Sequence, residues 1–104
     1  MPWVLLILAG LFEIGWAVGL RYSDGFSRLV PSVLTLAAMG VSLGLLAMAL
    51  RSLPLGTAYA MWTGIGAVGT AVVGMMFLGE SVSALRLASV AIIVLGLAGL
   101  KLAA

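Results

Sequence analysis

The chain has 104 residues, 64% of them hydrophobic and 8% charged, with a mean hydropathy of +1.34. That leaves too little polar surface to coat a water-soluble core, so the composition is that of a membrane protein. Five cations stand against three acids and are scattered singly, which argues against a nucleic-acid partner, and the absence of Cys and His excludes disulfides and thiolate or imidazole metal sites.

The first predicted span, residues 2–20, opens with Pro2, which suits a helix first turn. Trp3 reads as an anchor at the membrane interface. The segment lacks the positive start of a signal peptide, and Glu13 interrupts its apolar run, so it reads as a retained helix. Glu13 is the one charge between residues 3 and 20. All five basic residues lie at span ends or in loops, so no cation of the chain reaches it. Its counter-charge must come from outside: a proton or a cationic substrate. Gly10, Glu13 and Ala17 share one helical face, where small neighbours leave room for a ligand. Trp16, one turn away, offers a π face to a cation.

A polar turn, "RYSDGFSR" (21–28), leads to the second span, residues 29–50, which carries no charge. Ser42 lies mid-span, either as a ligand-site hydroxyl or bonded to its own backbone. Gly40 and Gly44 make a small pair there. "RSLP" (51–54) breaks the chain before the third span, residues 54–78. In it Tyr59, Trp62 and Thr63 form a polar-aromatic patch at i, i+3, i+4. Trp62 lies too deep for an interfacial belt, whereas Tyr59 could belong to one.

Small residues at Gly56, Ala60 and Gly64 line one face of this span, and Gly66, Thr70 and Gly74 line another. The step from Gly64 to Gly66 turns the helix by about 200°. "GIGAVG" (64–69), with Gly64, Gly66 and Gly69, is therefore a candidate hinge, although on sequence alone simple tight packing is the preferred reading. "GESVSA" (79–84), with Ser83 as N-cap, precedes the fourth span, residues 84–103. There Ser89 and Gly96, seven apart, suit a helix–helix seam. Four spans of about 20 residues each use nearly the whole chain, residues 1–104, as one transmembrane domain.

With four spans, Arg51, Lys101 and the N-terminal amine share one side of the membrane, and Arg21, Arg28 and Arg86 share the other. The near-balance leaves open whether one orientation wins or the chain inserts both ways. Four helices do not easily enclose a solute pathway, so the protein oligomerises or does not transport. A non-transporting subunit, such as a rotor-ring component, also carries a lone membrane acid among glycines. Those are usually helical hairpins, and an acid in the first of four spans fits them poorly.

The whole chain resembles the small multidrug resistance transporters, and within them the guanidinium exporter subtype. The resemblance is carried by "FEIGWAVGLRYSDGF" (12–26), "RLVPSV" (28–33), "PLGTAYAMWTGIGAVG" (54–69) and "ALR" (84–86). It implies an all-α membrane protein assembled as an antiparallel, dual-topology homodimer with two copies of the acid in one site. It implies proton-coupled export of guanidinium-type cations from a bacterial inner membrane, with no cofactor and no enzymatic activity. Glu13 matches the family's substrate and proton site, and Trp16, Ser42, Tyr59 and Trp62 match its binding pocket. "GIGAVG" matches the segment that kinks in one subunit. Trp16 is what most separates the sequence from the multidrug subtype, which exports quaternary ammonium and other hydrophobic cations and remains the alternative.

Overall fold

The computed structural model describes residues 2–103; Met1 and Ala104 lie outside the described residues. Four helices follow in order: α1 (Pro2–Tyr22), α2 (Leu29–Ala49), α3 (Leu55–Phe77) and α4 (Ala84–Ala103). All four are long and apolar enough to cross a membrane. At 1.5 Å per residue each spans roughly the 30 Å of a bilayer's hydrocarbon core. In that medium a helix satisfies its own backbone, so apolar runs of this length have one stable form.

The connections show how each run is stopped. Asp24, Gly25 and Phe26 all take positive φ (49°, 69° and 66°). Ser23, fully buried, holds this left-handed turn. Its Oγ donates to Leu20 O at 2.7 Å and accepts from the Phe26 N–H at 3.2 Å. Pro54 closes the second turn and opens α3 with φ −60° and ψ 143°. Ser83 caps α4, its Oγ accepting from the Arg86 N–H at 3.1 Å.

α1, α2 and α3 enclose the core of Leu6, Ala9, Leu46, Ala49, Ala58, Met61 and Trp62. α4 stands apart. Its backbone approaches only that of α3, and none of its residues is buried. The molecule is a slab of 41 × 35 × 17 Å.

Glycines set the helix spacing, since side chains enter where a Cβ is missing. The two small faces of α3 diverge as the 200° rotation requires. A Cβ at Gly64 would meet Leu97 of α4, whereas one at Gly69 would meet Ile14 of α1. Gly10 of α1 likewise accommodates Ile65 of α3. α3 runs as an unbroken helix through residues 64–69.

Candidate functional site

Glu13 projects from the middle of α1 toward α3. It is half-buried, and its Oε1 is shielded with no hydrogen-bond partner. The room for the carboxylate comes from Gly66: a Cβ there would fall on Glu13 Cδ, Oε1 and Cγ. Gly66, which the sequence marks as a candidate hinge position, is thus a cradle for the acid in this structure. No signal along the chain links the two, because each is simply a residue on its own helix.

Among the described residues no cation comes to Glu13. The ion pair among the described residues is Arg86 with Glu80, 3.1 Å apart and exposed, at the start of α4. Glu13 is therefore an acceptor with no counter-charge among the described residues. An uncompensated carboxylate in hydrocarbon is costly, so the site favours a neutralised acid.

One turn from Glu13 a second polar group joins three helices. Ser42 of α2 is fully buried and donates to Ala9 O of α1 at 2.6 Å. The same Oγ accepts from Trp62 Nε1 of α3 at 2.9 Å. Ser42 thus bonds across helices rather than to its own backbone. This contrasts with Ser32, Thr35 and Ser89, each of which donates to the carbonyl four residues earlier. Ala9 lies four residues before Glu13, so the bond pins the turn of α1 that carries the acid. Tyr59 continues the aromatic surface, its ring 5.7 Å from Trp62 and tilted by 56°.

Trp16 is partly buried against the core, and its Nε1 is a shielded donor without a partner. Thr70 Oγ1 is in the same state. Thr70 stands one turn beyond Gly66 on the same face of α3, a placement that the small-residue pattern indicated without assigning it a role. Glu13 Oε1 and Thr70 Oγ1 can each accept from the N–H groups of a cation, whereas Trp16 Nε1 can only donate and calls for an acceptor.

The structure brings Glu13, Gly66 and Gly10 together between α1 and α3, and Ser42 with Trp62 and Tyr59 just below. Ala17 is half-buried on the Glu13 face. Thr63 is exposed and makes no side-chain hydrogen bond, and Tyr59 is 55% exposed. Ser89 and Gly96 are both exposed on α4, and Ser89 lines a cavity that α4 forms with Ala71 and Met75 of α3. Ser89 Oγ donates to Leu85 O at 2.8 Å, so its hydroxyl is already satisfied within α4.

A family model described as Small Multidrug Resistance protein matches residues 1–93. Curated relatives of similar length align almost end to end. A guanidinium exporter of Escherichia coli (strain K12) is 64% identical over 102 residues, covering 98% of this chain and 97% of the relative. One from Yersinia pestis is 60% identical over 103 residues, covering 99% of each. One from Salmonella typhimurium is 58% identical over 104 residues, covering 100% of this chain and 99% of the relative.

Proposed function

The chain belongs to the Small Multidrug Resistance family, and from that premise we propose that it exports guanidinium and small guanidinyl cations across the bacterial inner membrane in exchange for protons. The observation that carries the reading is the shielded Glu13 carboxylate with no cation beside it among the described residues. Relatives of 58–65% identity named as guanidinium exporters give the substrate class. Proton and substrate compete for Glu13, and alternating access delivers them to opposite sides. Trp16, Ser42, Tyr59 and Trp62 complete the pocket, with Gly10, Ala17 and Thr63 as small or polar lining. The four spans act as one transmembrane domain, and Gly64, Gly66 and Gly69 supply the flexible segment of α3.

Transport calls for a second chain. A slab 17 Å thick has no room for a pathway closed on all sides. The near-balance of Arg51 and Lys101 against Arg21, Arg28 and Arg86 supports insertion in both orientations. We propose an antiparallel homodimer in which two Glu13 side chains share one site and the α4 helices meet near Ser89 and Gly96. Because Ser89 already bonds its own helix, that seam rests on close backbone approach more than on hydrogen bonds between chains. Ser52 lies exposed in the α2–α3 turn. A single cysteine there (Ser52→Cys) should label from both sides of the membrane in similar amounts. Labelling from one side alone would falsify the antiparallel arrangement.

The substrate is tested by proton-coupled currents on supported membranes. Guanidinium is planar and offers paired N–H donors that match a carboxylate; a tetra-substituted ammonium offers none. A charge-assisted hydrogen bond contributes about 1.5–3 kcal/mol, so guanidinium and singly substituted guanidines should be preferred by roughly ten- to a hundredfold. Trp16→Gly removes a large ring one turn from the acid and should narrow that gap. If the unmodified protein carries bulky quaternary ammonium ions as well as guanidinium, the site is the multidrug type instead.

A further inference from the structure

A second site lies at the membrane surface, about 15 Å along α1 from Glu13 by the helical rise. There the start of α1, the α2–α3 turn and the last turn of α4 enclose an open cavity of about 670 Å³. Its wall is formed by Trp3, Ser52, Pro54, Ala98, Lys101 and Leu102. Lys101 Nζ stands 5.6 Å from the centroid of the Trp3 ring, within cation–π range.

The charge at this end is one-sided. The chain's three acids are Glu13, Asp24 and Glu80. Asp24 and Glu80 belong to the turns at the opposite end, and Glu13 to mid-membrane. Arg86 at that far end is neutralised by Glu80. Lys101 has no carboxylate partner among the described residues, and Arg51 beside Ser52 adds a second unneutralised cation. Apolar groups flank this cationic mouth: Leu102, 87% exposed, and the Trp3 ring at its level, and Ala98 one turn deeper along α4. A free phosphate would gain nothing from such a wall, whereas a lipid would lay its glycerol and upper acyl chains against it.

We propose that this cavity binds the headgroup of an anionic phospholipid. The lipid phosphate accepts from Lys101 Nζ and the Ser52 hydroxyl, and the acyl chains descend past Trp3 and Ala98. Basic pockets at the interface with an aromatic anchor have the chemistry for this. The site belongs to each chain and does not depend on what Glu13 transports.

Native mass spectrometry of the detergent-purified protein tests it, with phosphatidylglycerol against phosphatidylcholine of the same acyl chains. One lysine near a lipid surface predicts about fivefold preference for phosphatidylglycerol. Lys101→Gln should reduce that preference to near unity, and Lys101→Arg should keep it. Guanidinium binding by Lys101→Gln should be unchanged, which separates loss of the lipid site from misfolding. Arg86→Gln should leave the preference intact, since that cation sits at the other end. Three results overturn the assignment: equal retention of the two lipids, a preference that survives Lys101→Gln, or equal loss in Arg86→Gln. Displacement of phosphatidylglycerol by inorganic phosphate at the same concentration would reassign the cavity to the bare anion.

Discussion

Glu13→Gln should abolish proton-coupled cation transport and leave a folded, inserted chain. Gln has nearly the shape of Glu and fits the space that Gly66 leaves. It keeps a carbonyl acceptor but loses the charge and the titratable proton. A cation in this site has no other anion to meet, because Asp24 and Glu80 lie in the turns. Removing one partner of a buried charge pair costs about 2–5 kcal/mol, or roughly thirty- to several-thousandfold in affinity. Coupling should vanish altogether, since exchange needs one group that binds proton and cation in turn. The pH response follows with its sign. As pH falls the carboxylate is protonated more of the time, so cation binding weakens, by at most about tenfold per pH unit for each proton displaced. In Glu13→Gln any residual binding should be flat with pH. Binding titrations from acid to alkaline pH and current recordings on both proteins check this. Substrate-dependent proton movement in the mutant would mean that another group carries the proton.

Gly66→Ala should disable transport through the position of the acid, without unfolding the helix. The new methyl group meets the Glu13 carboxylate directly. The end of a Glu side chain is flexible and can swing away, so the cost to stability is small. Alanine also favours the helix over glycine by about 0.8–1.0 kcal/mol, which offsets part of that cost. The functional cost is large, because a displacement of about 1 Å at a reacting group commonly reduces rate about a hundredfold. Gly56→Ala is the control: a Cβ at Gly56 meets nothing within 4 Å, so transport should be close to normal. Thermal melting together with transport assays separates the two effects. Normal transport in Gly66→Ala would show that the acid works from a different side-chain position. A melting temperature far below that of Gly56→Ala would show instead that Gly66 serves helix packing.

Several features were legible along the chain because their causes are local. Apolar runs without charge become helices in a medium that offers the backbone no other partner. Ser83 before an apolar run is a cap, and Asp24-Gly25 is a turn, because the bonds involved reach only three or four residues. Glu13 was legible as a lone membrane acid for the same reason: its isolation can be counted in sequence. The segments around Glu13 and Trp62 also carry the family resemblance.

What joins those segments was not legible. Each helix is apolar all round, so no amphipathic pattern says which face meets which neighbour. In lipid the choice is made by steric fit and by a few interhelical hydrogen bonds. Ser42 could have bonded its own helix, as Ser32 and Thr35 do, and only the approach of α1 and α3 gives it Ala9 O and Trp62 Nε1 instead. Gly66 read along the chain as a packing position first and a hinge second. Its contact with Glu13 depends on the register of α3 against α1, where the missing Cβ is the space the carboxylate occupies. The acid's identity is thus a property of the chain, while its surroundings are a property of three helices packed together.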